Sequence, residues 1–333
     1  MANNPTVSVV MSVYNGEKHL AEAVQTVLDQ SYTDFEFIIV NDGSTDRTRE
    51  ILNSFTDPRI CIIDQPNLGL AVGLNAGIAL AKGRYVARQD ADDIWLPTKL
   101  ARQVPIIERD PVLDVVACLS EVIDDEGEGP LLHITASLDP RVETPFPHPS
   151  ALIRLSALIA VDGYDARLRY GQDRDIWLRL YNGHNFYVVP DVLVVWRQTR
   201  DKDLVKSLVY PEYGALVARL AGVPLHQREP IIADAMKRIA CRRSEIEEQI
   251  RSGKINTQKW LDEQYHLMWA GKYLRAGQAN RARVHFKQLN FCNLSLFNKL
   301  KYFLAFMPGR LASWLMKFRL RLNGRLVGLR GIR

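Results

Sequence analysis

Val7-Ser8-Val9-Val10-Met11-Ser12-Val13-Tyr14-Asn15-Gly16-Glu17 sets the reading of this chain, because a short apolar run passes directly into a polar cluster. An apolar run of that length without polar alternation is a strand covered on both faces. The succession returns twice. Phe35-Glu36-Phe37-Ile38-Ile39-Val40 leads into Asn41-Asp42-Gly43-Ser44, and Tyr85-Val86-Ala87 leads into Gln89-Asp90-Ala91-Asp92-Asp93. Ile60-Cys61-Ile62-Ile63 reads as a further strand. Between the strands, Leu20, Val24, Val27 and Leu28 recur at helical spacing, and Thr45 to Phe55 and Leu70 to Ala81 read as helices. Strands alternating with helices predict an α/β fold with a mainly parallel sheet and helices on both faces. Ligands of such sheets bind beyond the carboxyl ends of the strands. All three polar clusters fall at those ends.

The acidic cluster is the most demanding of the three. Asp90, Asp92 and Asp93 repel one another unless a cation or donor network offsets their charge. A divalent cation suits the place, since Mg²⁺ is held by one or two carboxylates plus phosphate oxygens. The spacing therefore points to Mg²⁺ or Mn²⁺ and a nucleotide diphosphate, with Asp93 or Thr98 capping the following helix. Asp42 leaves its strand before a turn glycine, where its carboxylate can accept from the N3–H of a uracil or thymine ring. Ser44, Thr45 and Asp46 read as a turn and helix cap. Tyr14 is either a core tyrosine or a flat face for a nucleobase. Gly69, Gly73 and Gly77 share one helix face and predict close helix–sheet packing, not a dinucleotide fingerprint. Asn67 and Asn75 are candidates to face the nucleotide.

Further along, Val112–Val116 and Val188–Val195 are strand candidates, separated by the turn Pro145-Phe146-Pro147-His148-Pro149 and a helix near Asp175 to Tyr181. In Gly171-Gln172-Asp173-Arg174-Asp175, a carboxylate opening a helix across from a metal site is placed to act as general base; a plain N-cap is the other reading. His148 reads either as a phosphate or acceptor contact or as a structural histidine. From about Leu204 the pattern is helical, and Tyr265, Met268, Tyr273, Leu274, Ala282 and Phe286 predict a hairpin turning at Gly277. The reading divides the chain into an α/β domain over 1–203, a helical region over 204–298 and a basic amphipathic tail over 299–333.

Charge follows the same division. The net charge of +5 combines 18 basic and 28 acidic residues in the first 200 with 25 basic and 10 acidic in the remainder. No acid follows Glu263. An acidic body argues against nucleic acid as its ligand. In the tail, Phe303, Leu304, Phe306, Trp314, Leu315 and Phe318 interleave with Lys299, Lys301, Arg310, Lys317, Arg319 and Arg321, which suits an interfacial helix on an anionic membrane surface. The expectation is a cytoplasmic protein, peripheral on the inner membrane face, because no apolar run is long enough to span a bilayer and no signal peptide opens the chain. Cys61, Cys118, Cys241 and Cys292 are too scattered for a disulfide framework or metal knuckle.

Together these residues resemble the family 2 glycosyltransferases over roughly residues 5–200. Val9-Val10-Met11-Ser12-Val13-Tyr14-Asn15 is similar to the family's opening strand, Asn41-Asp42-Gly43-Ser44-Thr45-Asp46 to its nucleotide loop, and Asp90-Ala91-Asp92-Asp93 to its Asp-X-Asp motif. Asn75-Ala76-Gly77 with Ala81-Lys82-Gly83 resembles the helix before the metal strand. His148-Pro149-Ser150, Gly163-Tyr164-Asp165 and Gln172-Asp173 to Trp177-Leu178 resemble the acceptor half. The resemblance implies a GT-A fold, a nucleotide-sugar donor, a divalent metal and an inverting transfer to a glycan or lipid-linked glycan acceptor. Carried over by position, Ser12, Tyr14 and Asp42 hold the base. Asp90 and Asp92 hold ribose and metal, Asp173 is the catalytic base, and His148, Gln172 and Trp177 face the acceptor. Gln172 departs from the family's glutamate. Leu74 replaces a frequent arginine, which leaves Arg84, Arg88 and Arg197 as candidates for the diphosphate. The Gln-X-X-Arg-Trp motif of processive synthases is absent, so single addition is expected. Two other readings stand beside this one: a non-catalytic glycan-binding protein on the same fold, and a sugar nucleotidyltransferase, against which Tyr14-Asn15-Gly16-Glu17 argues because it lacks a glycine-rich, arginine-containing loop.

Overall fold

A computed structural model of the chain describes residues 4–124, 127, 131–133, 138–141, 144–198, 204–275 and 278–289. The expected basic tail and the turn at Gly277 lie outside the described residues. The chain opens with β1 (Val7–Val13), α1 (Leu20–Leu28), β2 (Phe35–Asp42), α2 (Thr48–Asn53), β3 (Ile60–Gln65), α3 (Leu70–Leu80) and β4 (Tyr85–Arg88). All seven residues of β1 are buried. Val7, Val9, Met11 and Val13 pack with Leu20, Val24 and Val27 of α1, while Val10 faces the other way toward Ala71 and Leu74 of α3. The strand has no polar alternation because it has no wet face.

The chain continues through β5 (Ile94–Trp95), α4 (Lys99–Arg109), β6 (Val115–Ile123), β7 (Leu131–His133), β8 (Leu152–Arg154), α5 (Leu155–Ala160), α6 (Gln172–Leu180) and β9 (Phe186–Arg197). Among the described residues these strands form one nine-stranded sheet, ordered β3-β2-β1-β4-β8-β6-β9-β5, with β7 on β6. The first four strands are parallel, as expected. Beyond β4 the sheet is mixed: β8 runs antiparallel to β4 and β6, β9 parallel to β6, and β5 antiparallel to β9. The mainly parallel expectation therefore holds only for the first half. β5 and β8 are too short to carry a periodic signal. Strand order reverses between β1 and β4, so the crevice at their carboxyl ends is the topological switch point where such sheets bind ligands.

Two details fix the crevice. α2 begins at Thr48, three residues later than Thr45, because the intervening residues bond to a neighbouring loop. α3 lies directly on β1. A Cβ on Gly73 would overlap the Ser12 hydroxyl, and one on Gly77 would sit 2.6 Å from Val10 Cγ1 and 3.5 Å from Val40 Cγ2. Gly73 and Gly77 serve this approach, as their spacing predicted; Gly69 does not, since it precedes α3 at a φ of 94° and a Cβ there would meet no atom within 4 Å.

α7 (Leu204–Leu220), α8 (Glu229–Arg251), α9 (Thr257–Arg275) and α10 (Ala279–Lys287) follow. The described residues fall into two compact units. The first takes in the chain up to Gln198 together with Glu212–Ala235, and the second holds the rest. In the second unit α9 and α10 pair as a hairpin, with the Gln278 amide donating to the Tyr273 carbonyl at 2.8 Å over buried Trp269, Leu274, Ala282 and Phe286. Among the described residues no helix is long and apolar enough to cross a membrane.

Gly77→Ala should destabilise the chain by about 1–2 kcal/mol. Overpacking against a stiff valine costs about 1–3 kcal/mol, and alanine's helix propensity offsets up to about 1 kcal/mol of it. Urea denaturation measures the difference; an unchanged midpoint would contradict the close approach.

Candidate functional site

At the carboxyl end of β1, Asn15 takes a positive φ of 52°, which asparagine tolerates better than most residues. The turn laces the first loop to the second. The Asn15 amide donates to Ser44 Oγ at 3.0 Å, and Asn15 Oδ1 accepts from the Thr45 amide at 2.8 Å. The Gly16 amide donates to Thr48 Oγ1 at 2.8 Å, and the Glu17 amide to Asp46 Oδ2 at 3.1 Å. Tyr14 stands on this platform with its ring 50% exposed, so the core-tyrosine reading is excluded. Ser12 is buried beneath α3. Asp42 is only 2% exposed and already engaged. Its Oδ1 accepts from Gln65 Nε2 at 2.6 Å and the Leu68 amide at 2.9 Å, and its Oδ2 from the Gly69 amide at 2.8 Å. The carboxylate thus holds the loop that enters α3.

The acidic run separates into three environments. Asp93 is buried, and its Oδ1 accepts from the Arg197 amide at 2.7 Å, tying the run to the end of β9. Burial, then the charges of Asp92 and Asp90, push its pKa well above the carboxylate range. Asp90 pairs with Arg88, whose side chain is 2% exposed. Asp92 receives no hydrogen bond from a described side chain, and burial followed by the charge of Asp90 raises its pKa to about 6. The charges of Arg88 and Arg197 pull it back down only in part, and a carboxylate in this position is of the type that could hold a hard divalent cation. Among the described residues no three His, Cys, Asp or Glu side chains converge as a ready cage.

Opposite the run stands the head of α6. Gly171, at a left-handed φ of 76°, turns the chain into the helix, and Asp173 lies in its first turn. Burial raises the Asp173 pKa; the charge of Asp90 raises it further, while amide hydrogen bonds and Arg88 pull it down. Asp90, Arg88 and Asp173 thus share one electrostatic field. Asp175 is an ion-pair residue and not a cap. Its Oδ2 accepts from Arg179 Nε at 2.9 Å, and its Oδ1 from Arg228 Nη1 at 2.7 Å. Arg228, 0% exposed, also reaches Asp165 Oδ2 at 3.3 Å and donates to the carbonyls of Val223 and Leu220. One guanidinium therefore holds both α6 and the Tyr164–Asp165 turn.

That turn carries the remaining expected residues. Asn75 Nδ2 donates to the Tyr164 carbonyl at 2.8 Å, and its Oδ1 accepts from the Tyr164 amide at 2.9 Å. Both ends of the amide are committed, so Asn75 braces the turn. Tyr164 Oη meets His148 Nε2 at 2.6 Å. His148 is buried, and burial followed by Arg88 pushes its pKa well below the usual imidazole range, so it is neutral. Trp177, expected at the acceptor, is 0% exposed and packs edge-on to Phe146 and His148. Direct acceptor contact by Trp177 is corrected to support of His148, because an indole at core spacing on α6 faces the sheet. Gln172 begins α6 with its Oε1 buried and without a described partner.

Of the three arginines considered for a diphosphate, Arg84 sits at the amino end of β4 paired with Glu108, on the wrong edge. Arg197 is held by the Asp92 carbonyl at 3.0 Å and Glu22 Oε2 at 3.0 Å. Arg88 is the one of the three whose guanidinium pairs with a carboxylate of the acidic run. Sequence reading missed Arg228 and Gln65. Neither has a local signal, since each acts on a residue distant in sequence.

The model of the family described as glycosyl transferase family 2 matches residues 8–166. EpsE of Bacillus subtilis, which bears the name of a glycosyltransferase, is 34% identical over 220 residues, covering 63% of this chain and 79% of EpsE. The Escherichia coli protein named UDP-Glc:alpha-D-GlcNAc-diphosphoundecaprenol beta-1,3-glucosyltransferase WfaP is 38% identical over 107 residues, 32% of this chain and 43% of WfaP. S. aureus TarS 1–349 in complex with UDP-GlcNAc is similar in fold, with a TM-score of 0.52 at 16% identity over 94% of this chain and 91% of the TarS chain.

Removing one partner of a buried ion pair costs about 3–5 kcal/mol. Asp165 keeps Arg167 and Asp175 keeps Arg179. Arg228→Met should therefore cost about 3 kcal/mol, read as a lowered urea midpoint; a loss below about 1 kcal/mol would deny Arg228 its bracing role.

Proposed function

This chain belongs to glycosyl transferase family 2, and we propose that it moves a single sugar from a nucleotide-diphosphate sugar, a UDP- or dTDP-sugar, to a hydroxyl of a lipid-linked or cell-surface glycan, with inversion at the anomeric carbon. One observation carries the reading. Buried Asp173 in the first turn of α6 lies within electrostatic reach of Asp90, which follows β4 and is paired with buried Arg88; burial is the main cause that raises the Asp173 pKa, and Asp90 adds to it. In this reading donor and acceptor chemistry would meet in one place. Exposed Tyr14 offers a stacking face for the base beside the loop held by Asp42. The UDP-sugar class is further supported by WfaP, whose name carries UDP-Glc, and the lipid-linked acceptor by the diphosphoundecaprenol in the same name.

Asp92, with Asp90 beside it, would hold Mg²⁺ or Mn²⁺, which when bound offsets charge on the departing diphosphate. Asp173 accepts the proton of the acceptor hydroxyl as its oxygen bonds to the anomeric carbon. The bond from that carbon to the diphosphate oxygen breaks, and the nucleoside diphosphate leaves on the opposite face. A single displacement of this kind inverts the centre. A raised pKa makes Asp173 a stronger base than an ordinary aspartate. The basic tail, read from sequence alone, would hold the enzyme at the cytoplasmic face of an anionic membrane, near a lipid-linked acceptor.

In assays with a panel of nucleotide sugars and Mn²⁺, Asp92→Asn and Asp173→Asn should each lower kcat by at least about 100-fold, within the range for loss of a general base, and both variants should stay folded. Wild-type turnover by Asp173→Asn would remove it as the base. UDP binding without any turnover by the unaltered chain would favour the non-catalytic reading. Because Asp173 must be ionised to accept a proton and its pKa is raised, kcat should fall on acidification at a pH above the ordinary aspartate range; an acid limb at or below that range contradicts the assignment. Truncation before Lys299 should abolish sedimentation with anionic liposomes, and undiminished binding would overturn the membrane reading.

A further inference from the structure

We propose that Arg88 is a positioning residue. Its buried guanidinium fixes Asp90 and sets how much negative charge the acidic run offers a divalent cation. The inference rests on the reading of Asp92 as the metal ligand and goes beyond it, since no ligand role is claimed for Arg88.

Two of the three buried arginines described in the first unit, Arg228 and Arg88, make the argument by contrast. Arg228 is built as a structural arginine: its Nε, Nη1 and Nη2 all find acceptors, among them two carboxylates and two carbonyls. Arg88 is not. Its Nη2 pairs with Asp90, yet its buried Nε and Nη1 meet no partner in the structure. A buried cation is costly unless paired and hydrogen-bonded, so an apolar side chain would serve packing better at this position. What Arg88 supplies is charge. Tyr85 and Ala87 of β4 belong to one core layer and Val86 to the other. The strand's period of two therefore sends Arg88 with Val86, toward α6. There it acts on Asp90, Asp92, Asp93 and Asp173, and on Tyr164 and His148. The other buried guanidinium near the run, Arg197, is occupied by Glu22 and a backbone carbonyl.

The division of labour among the acids follows from this. Asp90 is committed to Arg88 before any ligand arrives, whereas Asp92 has no described side-chain donor. Without the arginine, Asp90 is free to join Asp92, and the run presents more negative charge to a cation. Loss of Arg88 should then tighten metal binding while damaging turnover, because Asp90 no longer holds its place beside the donor. Ordinary structural damage produces the reverse, since a loosened site binds a cation less well.

The test is Mn²⁺ binding to the full chain without donor, by titration calorimetry or the electron paramagnetic resonance of free Mn²⁺, together with kcat and donor KM. Arg88→Gln should bind Mn²⁺ about tenfold more tightly and lose at least about tenfold in kcat. In an Asp90→Asn background the same change should no longer tighten Mn²⁺, because the effect runs through Asp90. Arg88→Lys keeps the charge but not the fork, so it should keep the parental Mn²⁺ affinity and lose about tenfold in kcat. Unchanged or weaker Mn²⁺ binding by Arg88→Gln overturns the proposal. Should that variant not fold, Arg88→Lys with the parental kcat overturns it. Asp92→Asn separates the two readings. If it leaves Mn²⁺ binding intact, the metal reading fails and this proposal with it; if it abolishes binding while Arg88→Gln does not tighten it, only the role of Arg88 falls.

Discussion

The ion pair between Arg88 and Asp90 stands where β4 ends and the acidic run begins. A strand covered on both faces must deliver three carboxylates to a single sheet edge, and it does so within six residues of Ala87, its last apolar side chain. Repulsion among Asp90, Asp92 and Asp93 would push that edge apart. One buried cation reduces it from inside, and the Arg197 amide holds Asp93 from the far end of β9. The geometry of the crevice follows from these two attachments, because they fix the run against both halves of the mixed sheet.

The opposite wall is made by different means. α6 carries Asp173 in its first turn, and a helix end is easily displaced unless something behind it resists. Arg228, arriving from the segment after the sheet, binds Asp175 two residues on and Asp165 in the adjoining turn. Asn75 of α3 grips the same turn through both ends of its amide. Asp173 is thus braced from two segments distant in sequence. Under the proposed chemistry that matters, since a misplacement of about 1 Å is enough to cost a large part of a rate.

Much of this was legible in the sequence. The first four strands and their helices were readable because strand and helix periods alternate cleanly from Val7 to Ala87. The glycines at 73 and 77 announced close packing by their spacing alone. Polar clusters at three strand ends located the ligand edge, and Gly171-Gln172-Asp173 marked the opposite wall. The second half of the sheet was less readable. β5 has two residues and β8 three, too few for a period, and nothing local decides whether such a strand runs with its neighbour or against it. Side-chain partnerships across long separations were not readable at all. Arg228 and Asp175 are 53 residues apart, and Trp177 sits in a motif that reads as acceptor-facing although its ring is sealed in the core. The spacing could say which residue types cluster, but burial decided which of them face outward and which brace their neighbours.

Asp42 carries a final consequence. Its two oxygens accept three hydrogen bonds, two of them from successive amides of the loop entering α3. A side chain so tethered has one rotamer with or without a guest, and the ordering entropy at this position is lost when the chain folds, not when a ligand arrives. Whatever occupies the edge between Tyr14 and this loop meets a wall that does not adjust. Discrimination there is a matter of shape against a fixed template, and a guest of the wrong outline is refused because neither the carboxylate nor the loop can move without releasing the other.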